Sequence, residues 1–167
     1  FGLAIWGYYN LSELGSFKRK KLKFQNAYTG GEYNSKYIAK CLQKYKVKYE
    51  EVKLKNVAHI ISKGNIVGFF QGRSEYGPRA LGNRSILADS RRKNMKEILN
   101  KRVKHRESFR PFAPSVLEEH SRKYFDIKCK SPYMLLIAKV KKPKVVPAIT
   151  HVDGTARIQT VSKHQNE

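Results

Sequence analysis

The sequence is short of acid, short of cysteine, and without any long apolar run. Its 167 residues hold 13 Asp and Glu against 35 Lys and Arg, a formal charge of +22. So few carboxylates leave the positive charge uncompensated. That implies an anionic partner: nucleic acid, a membrane surface or a phosphorylated small molecule. The two cysteines, Cys41 and Cys129, stand alone without a CxxC spacing. This excludes a zinc motif and a disulfide framework and reads as two free thiols in a cytoplasmic protein. No apolar stretch approaches the roughly 18–20 residues of a membrane span. Phe1–Tyr9 is apolar but lacks the basic n-region of a signal peptide. There is no internal repeat and no low-complexity segment. With 40% hydrophobic residues the chain is no disordered polar tract, and its length suits one domain with a real core. It opens on Phe1 rather than Met, so the expectation is that it begins inside a longer protein.

The two kinds of cation are distributed differently. Lysines scatter through Lys18–Lys23, Lys36–Lys55 and Lys141–Lys144 and read as solvated faces. Arginines concentrate between Arg73 and Arg110, among glycines and prolines. A guanidinium offers a planar fork that matches phosphate, whereas an ammonium is a point charge. The arginine-rich region is therefore the informative one.

Periodicity predicts an apolar helix at Phe1–Tyr9, a polar linker over Asn10–Gln25, and a helix from Ser35 to Tyr45. Val47, Tyr49 and Val52 predict a short strand, and Asn56 to Gly64 a capped helix. Ile66–Phe70 reads as a buried strand, Ser85–Ala88 as a strand and Lys93–Arg102 as a helix. Val116–Leu117, Tyr133–Val140 and Arg157–Val161 follow as strands, with a helix at Glu118–Tyr124. The irregular alternation predicts an α/β (α+β) domain.

Three loops interrupt this pattern. The first, Gly72 to Ser85, sets Arg73, Arg79 and Arg84 among three glycines and Pro78. Glycines let a backbone approach a ligand and aim N–H groups at an anion. The alternative is a surface turn whose arginines pair with Glu75 and Asp89. The loop has no Gly-Lys-Ser/Thr ending, which excludes a Walker A site. The second, Val103 to Pro114, carries Lys104, Arg106 and Arg110 ahead of Pro111 and Pro114. Stiffly held cations stabilise developing phosphate charge without reorganising; the plainer reading is a basic surface loop. The third, Thr150 to Arg157, alternates His151 and Asp153, which an extended segment would point to one side. Asp153-Gly154 also fits a turn capped by its own side chain.

Together the segments Gly72–Asp89, Val103–Glu118, Ser131–Met134 and Thr150–Val161 resemble the C-terminal domain of the nodulation protein U and cephamycin carbamoyltransferase family. The likeness covers Val57 to Val161, with Tyr28–Tyr33 matching less closely. It implies a YrdC-like twisted mixed sheet with flanking helices, incomplete at its C-terminus. It further implies that residues 28–167 form this domain, while 1–27 end an N-terminal ASKHA-type domain and linker. Family members form carbamoyladenylate from carbamoyl phosphate and ATP, with Mg²⁺ a possible companion. They then pass the carbamoyl group to a hydroxyl of a small-molecule acceptor. The resemblance puts the family's metal in the N-terminal domain and none in this chain. By carry-over, Arg79, Lys104 and Arg110 are the catalytic cations. Arg73, Arg84, Arg106, His151, Asp153 and Arg157 contact phosphate or nucleotide. Ser90 departs from the family's usual Pro. The resemblance also implies a further stretch bearing Asn-Thr-Ser-Phe-Asn. A nucleic-acid-binding module and a YrdC-type threonylcarbamoyl-adenylate synthase are the alternatives. The Gly77–Arg84 loop argues against the second, and no membrane partner is expected.

Overall fold

The computed structural model describes residues 2–15, 18 and 26–162. Phe1, most of the expected linker and the last five residues lie outside the described part. Helix α1 spans Gly2–Glu13, four residues beyond the expected apolar helix. Helix α2 spans Ser35–Lys44, and its N-cap is Asn34, whose side chain accepts from Tyr37 N at 2.9 Å. Lys46 takes φ 53° and Val47 N donates to Leu42 O at 2.9 Å, which closes the helix C-terminus. That closure uses the start of the expected Val47–Val52 strand, and no strand forms there. Helix α3 is Leu54–Ser62, starting ahead of Asn56, and Gly64 at φ +95° ends it as expected.

Strands β1 (Val67–Phe70) and β2 (Arg84–Leu87) pair antiparallel, Val67 opposite Leu87 and Phe70 opposite Arg84. This hairpin carries the first loop between its strands. It is a two-stranded sheet, so β1 is only half-covered and Phe70 is 60% exposed, unlike the buried strand expected. Helix α4 (Met95–Ile98) runs into a π-helical turn, Leu99–Lys104, closed by His105 at φ 47°. Strand β3 (Ser115–Leu117), helix α5 (Glu118–Tyr124), strand β4 (Leu136–Lys139), a 3₁₀ turn (Pro147–Ile149) and strand β5 (Thr155–Val161) complete the chain. Helix α5 has the bounds read from the sequence. β4 begins three residues later than expected, because Ser131 is tied to β5 and Met134 sits at φ 54°.

The architecture is α+β, with an open three-stranded mixed sheet ordered β3-β5-β4 beside the hairpin. β3 runs parallel to β5, and β4 antiparallel to it. β5 is central, and its alternation decides the layout. Ala156 and Ile158 are wholly buried and join Phe125, Ile127, Ala138, Val140, Val146 and Ile149 in the main core. Burying such side chains stabilises by about 1.5–3 kcal/mol each. Arg157 and Gln159, on the opposite face by the period of two, look toward the first loop. A second cluster of Met95, Leu99 and Ala148 anchors the π-helical turn, with Phe112 packed against it.

Candidate functional site

The first loop is built around a buried acid. Glu75 has no exposed side-chain surface. Its Oε1 accepts from Leu81 N at 2.6 Å and Asn83 N at 2.7 Å. Arg84 Nε lies 3.3 Å from Oε2, and Arg84 Nη2 donates to Gly77 O at 2.8 Å. Gly77 at φ +103° takes up the sharp backbone conformation this demands. Leu81 O in turn accepts from Gln159 Nε2 at 2.7 Å and Tyr28 Oη at 3.1 Å. Asn83 Nδ2 closes the base on Arg73 O at 2.8 Å. The loop is therefore fixed on three sides, with Arg79 at its tip.

The Ala27–Gly30 segment lies along the other side of this loop. Tyr76 N donates to Ala27 O at 2.7 Å, and Gly30 N to Ser74 O at 3.0 Å. A Cβ on Gly30 would collide with Ser74 Oγ and come within 2.9 Å of Ser74 O. The glycine is required by this close approach.

Two adjoining cavities result. The larger, about 1040 Å³, is walled by Tyr28, Tyr76, Tyr133, Leu81, Met134 and Leu135 and by Arg73, Arg79 and Arg157. The smaller, about 490 Å³, holds Lys104, Phe112 and Pro114 as well as Arg79 and Arg157. Arg79 and Arg157 thus stand on the boundary of both. Arg157 Nε is buried and has no hydrogen-bond partner among the described residues. Burial, and secondarily the neighbouring Arg79 guanidinium, pull Arg157 below the ordinary arginine value. Two like charges held together, one with a buried unpaired donor, form a locus that an anion would satisfy. Tyr28 is shifted upward, first by burial and then by Glu75 and Tyr133.

The structure separates the candidate residues into two groups. Arg79, Lys104 and Arg157 meet at the smaller cavity, and Arg73 lines the larger one. Arg73 also makes an exposed ion pair with Glu32 at 3.3 Å. Arg110, expected in the same concavity, lines neither cavity. It pairs instead with Glu107 at 2.9 Å on the surface. Arg84 is held by Glu75, as the surface-turn reading anticipated, whereas Asp89 takes Arg91 at 2.7 Å. Arg106 Nε donates to Asn100 Oδ1 at 2.8 Å, and its guanidinium lies 4.9 Å from the Phe112 ring centre. His151 and Asp153 do not share a free face. Asp153 Oδ1 accepts from Thr155 N at 3.0 Å and Thr155 Oγ1 at 2.7 Å, and those bonds hold its carboxyl below the usual range. This is a self-capped turn. His151 Nδ1 lies 3.1 Å from Thr155 Oγ1, and its Nε2 is buried without a partner among the described residues.

Sequence reasoning missed Glu75 as an organiser, together with Gln159, Tyr28 and Asn100. Gln159 is 1% exposed and joins Leu81 to Ser115, whose Oγ donates to its Oε1 at 2.7 Å. Its place two residues after Arg157 on a strand is the one signal that pointed at it. Among the described residues no three His, Cys, Asp or Glu side chains cluster as metal ligands. Asp153, the carboxylate of the third loop, spends its Oδ1 on Thr155.

Residues 58–167 match the family model described as Carbamoyltransferase C-terminus. The chain is 39% identical over 192 residues to an uncharacterized protein of Synechocystis, a match covering 98% of the chain and 31% of the relative. It is 51% identical over 116 residues to Nodulation protein NolO of Bradyrhizobium diazoefficiens, covering 66% of the chain and 21% of the relative. It is 42% identical over 121 residues to the 3'-hydroxymethylcephem-O-carbamoyltransferase of Streptomyces clavuligerus, covering 71% and 23%. The chain therefore spans less than a third of the length of these curated relatives. With two thirds of its residues inside the family model and these identities beside it, the chain belongs to the carbamoyltransferase C-terminus family.

Proposed function

We propose that this chain is the part of an ATP-dependent O-carbamoyltransferase that forms carbamoyladenylate from carbamoyl phosphate and ATP. The observation that carries the proposal is the meeting of Arg79, Arg157 and Lys104 at one cavity, with no carboxylate paired to any of them among the described residues. Both substrates are phosphorylated, and their reaction spreads negative charge over phosphate oxygens. Preorganised cations lower the barrier to such a step because they need not reorient as the charge develops. The aromatic wall of the larger cavity supplies apolar surface for a nucleoside, next to the same two guanidinium groups. In this reading an N-terminal ASKHA-type domain with its metal passes the carbamoyl group to the acceptor hydroxyl. Support for a carbamoyl acceptor comes from the name of the Streptomyces clavuligerus relative, itself an O-carbamoyltransferase. A cytoplasmic setting is part of the same proposal.

The test is carbamoyl-phosphate-dependent turnover of ATP by the whole protein. Arg79→Ala and Lys104→Ala should each slow it by about 10²–10³-fold. Arg79→Lys keeps the charge but loses the fork, so it should be nearly as slow as Arg79→Ala. Lys142→Ala removes an equal charge from an exposed lysine and should leave the rate unchanged. Equal loss in Arg79→Ala, Lys104→Ala and Lys142→Ala, with Arg79→Lys unimpaired, would show that bulk charge, rather than a phosphate clamp, is at work. Tight RNA or DNA binding without any response to ATP would favour a nucleic-acid module instead.

A further inference from the structure

Lys104 reaches the smaller cavity from an unusual piece of backbone. It is the last residue of the π-helical turn Leu99–Lys104, and the next residue, His105, reverses the chain at φ 47°, ψ 53°. π-Helical turns are rare and occur disproportionately at functional sites. Leu99 anchors it in the second apolar cluster, and one polar side chain ties it to the loop that follows. Asn100 is completely buried, with 0% of its surface exposed. Its Nδ2 donates to Ser108 O at 3.2 Å and to Arg110 O at 2.8 Å. Its Oδ1 accepts from Arg106 Nε at 2.8 Å. Its own carbonyl accepts from His105 N and from Arg106 N, the latter at 3.0 Å. Both amide hydrogens and the amide oxygen are therefore spent on one loop.

We infer that Asn100 is a positioning residue. By gripping Arg106, Ser108 and Arg110, it sets where Lys104 and Phe112 stand in the cavity. The inference rests on the phosphate-site reading above and assigns a role to a residue that lines neither cavity. The chain of contacts is short. Arg106, held at Nε by Asn100, lies 4.9 Å from the Phe112 ring, and Phe112 lines the cavity with Lys104. A primary amide of this length is the side chain that offers two donors and one acceptor together. Aspartate has the same shape but would set an anionic oxygen against the carbonyls of Ser108 and Arg110. Lysine at 106 keeps the charge but removes the directed Nε donor.

The experiment uses the whole protein with Asn100→Asp, Arg106→Lys and the double variant. Steady-state turnover of ATP with carbamoyl phosphate is read beside amide hydrogen exchange of residues 101–112 and 155–161. Each single variant should lower kcat by about 10–100-fold, since small misplacements of a catalytic group cost that much. KM for ATP should stay within about twofold, because the walls of the larger cavity are untouched. The double variant should be no slower than the worse single one, as expected of residues in one network. Exchange in 101–112 should speed about tenfold or more, with 155–161 unchanged. Unaltered exchange in 101–112 in both variants overturns the inference, as does unaltered kcat in both when wild type is active. Where Asn100→Asp does not fold, Arg106→Lys, partly exposed and tolerant, decides by the same two readings. A wild-type protein without carbamoyl-phosphate-dependent turnover would sink the proposed function. Exchange alone would then decide whether Asn100 holds the loop.

Discussion

Arg157 offers a test in which stability and activity should move in opposite directions. Its Nε is buried without a partner among the described residues, on the strand that forms the centre of the sheet. A buried polar group left unsatisfied costs about 1–3 kcal/mol. Arg157 as a whole is only partly buried, and solvent screens its repulsion with Arg79, so the lower end of that range applies. Arg157→Met keeps the apolar stem and removes the charge and the orphaned donor. For a chain of this size about 1 kcal/mol corresponds to roughly 2–4 °C in Tm. In phosphate-free buffer the variant should therefore melt about 2–4 °C higher than wild type. Inorganic phosphate should reverse the order. It stabilises wild type by roughly 2.7 kcal/mol at a hundred times its dissociation constant, and the variant by little. Turnover should fall by about 10²–10³-fold in the same variant. Thermal unfolding with and without phosphate is the assay. If Arg157→Met melts below wild type in the absence of anion, the guanidinium is a satisfied structural group and the reasoning fails. A wild-type Tm that ignores phosphate fails it equally.

Glu75→Ala strips the acceptor from two backbone N–H groups, Leu81 and Asn83, and should cost roughly 2–6 kcal/mol at about 1–3 for each. Glu75→Gln keeps an acceptor and loses only the Arg84 ion pair, so chemical denaturation should rank it well above Glu75→Ala; equal losses would show that charge, not the acceptor, holds the loop. Asp89 gives a pH signature: the Arg91 hydrogen bond holds its carboxyl below its ordinary 3.8. Folding thus favours the ionised form, so the contribution is complete above the unfolded value and is lost as pH falls through the folded one. Asp89→Asn should be less stable than wild type at pH 7, by a modest amount because Arg91 is largely exposed, and the two should converge below pH 3.8; a constant gap across the acid range refutes the pairing.

The loops were the most legible part of the sequence, because glycine, proline and clustered arginine have few other uses. Helix α5 was legible to the residue, with two glutamates opening it and two cations closing it. The strands were less so. Val47, Tyr49 and Val52 have strand chemistry, yet no neighbouring strand pairs with them, and an isolated extended segment is not a sheet. Ile66–Phe70 looked fully buried because an apolar run states hydrophobicity and not coverage; only β2 lies beside it. His151 and Asp153 matched the period of two, but Thr155 offers Asp153 two donors close by, and the turn won.

Glu75, Asn100 and Gln159 were hard to read for a different reason: a polar side chain reads as solvated unless something marks it as buried, and only Gln159, two residues after Arg157 on a strand, carries a local mark. In retrospect the acid count carried part of the answer. Each of the three loops contains one carboxylate: Glu75, Glu107 and Asp153. Each lies within four residues of a cavity cation, at Arg79, Lys104 and Arg157 respectively. In each loop, however, the acid is already engaged elsewhere. Glu75 takes two backbone amides and Arg84, Glu107 takes Arg110, and Asp153 takes Thr155. Among the described residues this leaves Arg79, Lys104, Arg106 and Arg157 without a paired acid; Asn100 holds Arg106, and the other three meet at the smaller cavity. Positive charge at a site is set as much by where the few acids are spent as by where the many bases stand.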